Sequence, residues 1–293
     1  MHVSVKKANR EDYLSCKFTL LIPTWNNLDY LQLCIKSILK NSFFEHQIII
    51  VINEGLDGTY EWVKNQVNID YIYAETNIGI CLALNSCRSL IATEYVVYAN
   101  DDMYFLPNWD KALMEEIKEI GHTQFMLSAT MIEPNGNNPC AVICDYGTDL
   151  ISFKEDDLLK NQEKLIRNDW NGSTWPPNII HIDNWDLVGG MSIEFSPGMY
   201  SDPDLSRKLW EIGVRIFKGK GTSLVYHFGC KSTKRINKNK GQKTFVLKWG
   251  ISAKTFMVKY LLRGESTEIK LTDKSLSGIE KFTQLLKKFK ATF

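Results

Sequence analysis

Asn100, Asp101 and Asp102 follow Tyr95-Val96-Val97-Tyr98-Ala99, a short apolar run with the character of a buried strand. Two adjacent carboxylates at the end of such a strand repel each other unless a cation or a raised pKa relieves them. A divalent metal is the economical relief, and a parallel α/β sheet gathers its ligand crevice at the carboxyl ends of its strands. His227 ends a second apolar run, Ser223-Leu224-Val225-Tyr226. A neutral imidazole there could complete the coordination of the same ion, or serve as a hydrogen-bonded core residue. Oxygen-rich sites that share substrate phosphates suit hard ions, Mn²⁺ or Mg²⁺, better than zinc.

The elements that must position these groups alternate regularly through the first half. Phe18-Thr19-Leu20-Leu21-Ile22 is stopped by Pro23, and Leu31, Ile35, Ile38 and Leu39 recur at helical spacing. The pattern continues as a strand at 47–52, a short helix at 58–66, a strand at 69–74, a helix to about residue 91, a strand at 95–99 and a helix at 109–120. Repeated βαβ units imply parallel pairing with helices on both faces, an architecture associated with nucleotide binding. From 144 to 186 the sequence turns Asp/Asn-rich, punctuated by Trp170, Trp175, Pro176, Pro177 and Trp185, and predicts a loop region bordering the cleft. Aromatic faces beside polar groups suit a sugar surface, so these tryptophans form a candidate acceptor platform; ordinary packing is the other reading.

Composition bounds what can be built around the site. With 293 residues, 44% hydrophobic, and eight tryptophans, the chain has ample core material for a globular protein. No apolar stretch has signal-peptide length at the N-terminus, and no run approaches the ~20 residues needed to cross a bilayer, which makes a cytoplasmic location the default expectation. Seven scattered cysteines fit reduced, mostly buried thiols; Cys140 and Cys144 are conceivable metal ligands without a second pair nearby. Charge is uneven: residues 231–293 hold 16 Lys and Arg against 4 Asp and Glu, net +12, while 1–230 are net −11. Lys231, Lys234, Arg235, Lys238, Lys240 and Lys243 cluster, and a final helix sets Ile279, Phe282, Leu285, Leu286 and Phe289 on one face with Lys281, Lys287, Lys288 and Lys290 elsewhere. Peripheral contact with an anionic membrane is expected of such a helix, as is packing on the catalytic domain or on a partner subunit. No nucleic-acid partner is expected.

Several strings then occur in a telling order: Thr19-Leu20-Leu21-Ile22-Pro23-Thr24-Trp25-Asn26, Asp57-Gly58-Thr59, Asn77-Ile78-Gly79 with Ala83-Leu84-Asn85, and Asn100-Asp101-Asp102. Gly189-Gly190-Met191, Tyr200-Ser201-Asp202-Pro203-Asp204-Leu205 with Arg207, and Val225-Tyr226-His227-Phe228-Gly229 follow. Over residues 16–230 the chain resembles the family 2 glycosyltransferases of the GT-A fold. That resemblance implies a Rossmann-like, mostly parallel central sheet flanked by helices. It divides into a nucleotide-sugar half at about 16–105 and an acceptor half at about 106–230, and 231–293 form a basic, largely helical C-terminal extension. By the resemblance Asp102 contacts the metal, Asp101 the ribose or metal-bound water, and a histidine at 227 often joins them.

An acceptor hydroxyl is a poor nucleophile at neutral pH, so a positioned carboxylate must take its proton. Asp202 is the candidate base by motif position, with Asp204 as the other; the family's usual Glu-Asp pair reads Ser201-Asp202 here. Asp204 precedes Leu205, Leu209 and Trp210 and could instead cap that helix. A base opposite the leaving group implies inversion at the anomeric carbon. Pro23, Thr24, Asn26, Asn77, Gly79, Asn85 and Asn100 are expected around the donor, each asparagine serving equally well as a turn or cap residue. Asn53-Glu54 stand where the family commonly has an aspartate pair, and an amide both donates and accepts, so the base contact can differ from the common uridine case.

The expectation is thus a metal-dependent transfer of sugar from a nucleoside-diphosphate donor to a glycan or lipid-linked glycan, in cell-surface polysaccharide synthesis. A non-catalytic carbohydrate-binding protein on the same fold is the alternative, to which the loss of Glu at 201 lends weight. A nucleotidyltransferase is a further one, although Pro23-Thr24-Trp25-Asn26 is not its glycine-rich phosphate loop.

Overall fold

The computed structural model describes residues 3–8, 13–229 and 239–292. Cys230, Lys231, Lys234, Arg235 and Lys238 lie outside the described residues. After β1 (Val3–Lys6) the elements run β2 (Phe18–Trp25), α1 (Leu28–Asn41), β3 (Gln47–Asn53), α2 (Thr59–Lys64), β4 (Asp70–Ala74), α3 (Gly79–Ser86) and β5 (Tyr95–Tyr98). β4, β3, β2 and β5 pair in parallel, in that order, as the repeated βαβ pattern predicts. Every residue of β3 is buried, which suits its Ile48-Ile49-Ile50-Val51-Ile52 run because β-branched chains pack well on a sheet covered on both faces. α1 covers one face with Leu31, Cys34, Ile35 and Ile38; Leu39, placed with them by spacing, is 72% exposed.

The second half is mixed. It comprises β6 (Met103–Phe105), α4 (Trp109–Ile120), β7 (Phe125–Glu133), β8 (Val142–Ile143), α5 (Glu155–Lys160), β9 (Trp170–Asn171), β10 (Asn178–His181), α6 (Ile182–Val188), α7 (Ser201–Glu211) and β11 (Ile216–His227). The main sheet order is β1-β4-β3-β2-β5-β10-β7-β11-β6, with β8 on β7 and β9 on β11. β10 is antiparallel to both β5 and β7, so the stretch expected to be loop contributes a central strand. Asn178-Ile179-Ile180-His181 is too short for a periodic signal, and its neighbours supply the ladder that makes it a strand.

Beyond the undescribed segment come α8 (Gly241–Trp249), α9 (Ala253–Thr255) and α10 (Gly278–Thr292). Phe245, Ala253, Phe256, Leu261 and Leu271 are buried in the same cluster as Leu21, Ile72, Leu205 and Trp210. The boundary drawn at 230 is therefore not a break in packing: α8 and α9 complete the core. α10 is different, lying against α8 and burying only Gln284.

A chain cut at residue 238 is expected not to fold stably, since each lost buried Phe costs about 3–5 kcal/mol against a total stability of roughly 5–15. A chain cut at 277 is expected to melt within a few degrees of the full chain. Thermal denaturation of the two separates them, and equal melting temperatures for both would refute a shared core.

Candidate active site

Asp102 and His227 are far apart in sequence and meet through one ladder. β6 follows Asp102 directly and pairs antiparallel with β11, setting Met103 opposite His227. The Asp102 carbonyl accepts the Phe228 N–H at 3.2 Å, and His227 Nε2 lies 3.4 Å from Asp102 Oδ1. The other ring nitrogen, Nδ1, lies 3.3 Å from Oε1 of Glu133, the last residue of β7. Burial by itself favours the neutral ring, yet the charges and hydrogen bonds of Asp102 and Glu133 outweigh it and push the imidazole up to about 10. The cluster is therefore a place that holds positive charge.

Its donor set fits a divalent cation. Oxygen and nitrogen ligands at adjacent positions on one ion, each at about 2.1 Å, sit roughly 3–3.5 Å apart, which Asp102 Oδ1 and His227 Nε2 satisfy. Glu133 contacts the far nitrogen, the usual place for a carboxylate that selects a ligating tautomer. Glu133 was not legible as a site residue because β7 itself escaped the periodicity; the signal available was a carboxylate closing an apolar run. Among the described residues no group of three or more His, Cys, Asp and Glu side chains is arranged to hold a metal ion by itself.

Asp202 and Asp204 occupy the first turn of α7, two residues apart, in opposite environments. Asp204 is fully buried and fully used: it accepts from Ser192 Oγ at 2.6 Å and Trp249 Nε1 at 2.8 Å, and Lys248 Nζ is 3.0 Å from its Oδ1. It caps nothing; it ties α7 to α8. Asp202 is the reverse, with a buried Oδ1 that has no hydrogen-bond partner, and desolvation lifts its carboxyl to about 7. Ser201, in place of the family's Glu, donates to the Gly198 carbonyl at 2.6 Å and is structural. Tyr98, at the end of β5, is pushed up by burial and then by the charges of Asp202, Asp101 and Asp102, so these carboxylates converge around one phenol.

Loops at the strand ends show which expected donor residues are free. Asn26 and Glu54 both have positive φ and bond each other, Asn26 Nδ2 donating to Glu54 Oε2 at 3.0 Å, with Trp25 Nε1 donating to the same oxygen at 2.8 Å. Asn53 is committed at both ends: Oδ1 accepts from the Ile78 N–H at 2.9 Å and Nδ2 donates to the Thr24 carbonyl at 3.3 Å. An aspartate could not make the second bond, which accounts for the amide without a base contact. Asn77 accepts from the Gly79 N–H at 2.8 Å and Asn85 brackets Met191 through both backbone groups at 2.8 Å, both local roles. Gly79, at φ 72°, lets Pro197 approach; a Cβ would stand 2.9 Å from the Pro197 Cα. Pro23 lies within β2, and Asn100 and Asp101 form the partly exposed turn before Asp102. Thr24 retains a buried hydroxyl without a partner, an orphaned polar atom at this end of β2. Near it, Asn26, Asn27, Leu28, Asp29, Tyr30 and Asp57 line a cleft of about 220 Å³.

The tryptophan platform needs correction. Trp170 is 5% and Trp185 3% exposed; the first donates its indole N–H to Thr130 Oγ1 at 2.8 Å and the second packs on Gly190. Neither ring is open to an acceptor, because each fills core space opposite a glycine. Trp175 is half-buried, with the Arg263 guanidinium 4.2 Å from its ring centre.

A model of glycosyl transferase family 2 matches residues 19–168, just over half of the chain. The chain belongs to glycosyl transferase family 2. Glycosyltransferase GlyA of Streptococcus pneumoniae serotype 4 is 26% identical over 106 residues, 35% of this chain and 15% of that protein. WcaA of Escherichia coli K12, named for colanic acid biosynthesis, is 30% identical over 94 residues, 31% of this chain and 34% of that protein. The aligned stretches thus span about a third of WcaA and less of GlyA. In fold, the chain is similar to S. aureus TarS 1–349, with a TM-score of 0.53 at 17% identity over 72% of this chain and 60% of that one. It is also similar to GalNAc-T7 solved with UDP, GalNAc and Mn²⁺, with a TM-score of 0.58 at 13% identity over 86% and 53% of the respective chains. The family 2 chain accordingly has the GT-A fold.

Asp202 and Asp204 make opposite contributions to stability. Folded Asp202 keeps its proton to about pH 7, whereas the unfolded chain releases it near 4, so stability falls as pH rises between those values and stays reduced above them. Asp202→Asn is therefore expected to melt higher than wild type at pH 8, with the gain fading toward pH 4. Asp204→Ala leaves the Trp249 indole and the Ser192 hydroxyl without their acceptor, Lys248 keeping Glu194, and is expected to lose roughly 3 kcal/mol across that range. Melting curves at several pH values check both; a pH-independent difference for Asp202→Asn would contradict its raised pKa.

Proposed function

We propose that the protein is an inverting, metal-dependent hexosyltransferase that moves a sugar from a nucleoside-diphosphate donor to a hydroxyl of a glycan or lipid-linked glycan in cell-surface polysaccharide synthesis. The observation that carries this reading is the desolvated Asp202 carboxyl, its Oδ1 unpartnered, whose charge reaches the same Tyr98 phenol as those of Asp101 and Asp102. A general base works best with a pKa near the operating pH, and the lift to about 7 leaves Asp202 able to take a proton from the acceptor hydroxyl as the new bond forms. Asp204 holds the start of α7, and with it Asp202, in place through Lys248 and Trp249.

Asp102 and His227 would hold Mn²⁺ or Mg²⁺, which offsets the charge gathering on the departing diphosphate. Glu133 keeps the His227 Nε2 lone pair turned toward that position. Asp101 and the orphaned Thr24 hydroxyl face the ribose and the rest of the nucleoside, while Lys208, donating to the carbonyls of Val188 and Gly190, steadies the Gly189-Gly190 loop against the sugar. Support for the donor class comes from the solved neighbours, TarS having been crystallised with UDP-GlcNAc and GalNAc-T7 with UDP and Mn²⁺. In-line displacement with inversion requires base and leaving group on opposite faces of the sugar, the positions this reading gives to Asp202 on α7 and Asp102 in the β5–β6 turn. The working location is the cytoplasmic face of a membrane, met peripherally by the C-terminal segment. No described helix is long and apolar enough to cross a bilayer.

Calorimetric titration with UDP, UDP-GlcNAc and other nucleotide donors, with Mn²⁺ or with EDTA, tests the reading. Donor affinity is expected to require the metal and to collapse in Asp102→Asn and His227→Ala. Glu133→Ala is expected to weaken Mn²⁺ binding about 10- to 100-fold, with Glu133→Gln closer to wild type because its carbonyl oxygen still accepts from Nδ1–H. Equal donor binding in EDTA would remove the metal from the account. Separately, kcat/KM should rise with pH through about 7 as Asp202 ionises, and the product should show the inverted anomer by NMR.

A further inference from the structure

α10 faces the wrong way for a helix that exists to complete a core. At 100° per residue Ile279, Phe282, Leu285 and Leu286 share one face. They are exposed by 82%, 61%, 62% and 45%. The face turned to the protein is polar: Gln284 is 6% exposed, its Oε1 accepts from the Ser252 N–H at 2.9 Å, and its Nε2 donates to Thr255 Oγ1 at 3.0 Å. Lys287 Nζ adds a bond to Ser252 Oγ at 3.1 Å. Covering a large aliphatic or aromatic side chain is worth about 1.5–3 kcal/mol, so this stripe holds a sizeable gain that the described fold leaves uncollected.

The charge beside the stripe says what can collect it. Lys281 and Lys288 project to one side and Lys290 and Lys287 to the other, while Glu280, the only acid in the helix, is paired with Lys259. A second copy packed stripe to stripe would bring lysines against lysines, which like-charge repulsion opposes. A surface that is apolar below and negative above matches both features, and that is the boundary between the headgroups and acyl chains of an anionic bilayer. With four lysines and an acid spread around it α10 is not apolar enough to cross a bilayer, and an amphipathic helix of this kind lies in the plane.

We infer that α10 is an in-plane membrane anchor, its Ile279, Phe282, Leu285 and Leu286 stripe seated among acyl chains of an anionic leaflet and its lysines among the headgroups. It rests on the peripheral contact proposed above and deepens it by fixing which face of the helix meets lipid and which meets the protein. The anchor is not loosely tethered: α10 rests on α8, and α8 carries the Lys248 and Trp249 that hold Asp204 on α7. The membrane plane is thereby set relative to the catalytic helix.

Flotation of the full chain with phosphatidylglycerol-containing vesicles, against pure phosphatidylcholine vesicles and at low and high salt, tests the anchor. Wild type is expected to float with the anionic vesicles more than roughly tenfold better than with the neutral ones, and to lose much of that in salt. Phe282→Glu with Leu286→Glu is expected to abolish flotation while leaving the melting temperature and donor binding at wild-type values. The inference falls if wild type ignores anionic vesicles, if the double variant floats equally well, or if light scattering shows a dimer that the double variant dissolves. Flotation without donor binding would sink the proposed transferase and spare the anchor; donor binding without flotation would do the opposite.

Discussion

The antiparallel pairing of β6 with β11 is the contact on which the candidate active site depends. Asp102 precedes a three-residue strand, and that strand has one register in which His227 stands beside it. A slip of one residue would turn His227 to the opposite face of the sheet and leave Asp102 without the imidazole. The register is held by what surrounds it: Phe105 and Val225 are buried in one core cluster, and Tyr104 and Tyr226 in the one on the other face. β7 then runs parallel to β11 and brings Glu133 to the far side of the ring. Three strands from distant parts of the chain thus converge on one imidazole.

Charge in this region is handled by three different means. Asp102 and Glu133 share a histidine, Asp204 is answered by Lys248 together with two neutral donors, and Asp202, with its Oδ1 unpartnered and a backbone hydrogen bond too weak to offset burial, is relieved by keeping its proton. Two carboxylates two residues apart on one helix therefore differ because one is fully hydrogen-bonded and the other is chiefly desolvated. The helix supplies proximity, but α8 decides which of the two is spent on structure.

That division makes the C-terminal segment part of the body that holds α7. Arg207 on α7 lies 5.2–5.7 Å from the ring centres of Trp249, Phe256 and Tyr260, and Arg215 pairs with Asp273, so both the apolar and the charged faces of α7 and the loop after it are covered from beyond residue 239. The match to the family model stops at residue 168, before any of these contacts, and before Asp202 and His227 as well. The matched span thus holds the parallel strands and Asp102, while Asp202, His227 and the segments that cover α7 lie beyond it.

The alternation of apolar runs with amphipathic segments up to residue 120 was enough for the parallel strands and their helices, because buried parallel strands need continuous β-branched runs and covering helices need one apolar face. Asp102 and His227 were singled out for a related reason, Asp102 lying just past such a run and His227 ending one, and the structure brings the two side chains within 3.4 Å. β10, Glu133 and the burial of Trp170 and Trp185 were not legible, since a four-residue strand, a lone carboxylate and a tryptophan look alike whether they face solvent or core. Position in the family's motif could favour Asp202 over Asp204 but could not separate their environments, because the difference lies in Lys248 and Trp249, more than forty residues away. Local sequence determined which residues could carry charge at the ends of which elements; only the tertiary packing decided which of those charges would be paired, because burial and partners arrive from segments that no local pattern connects.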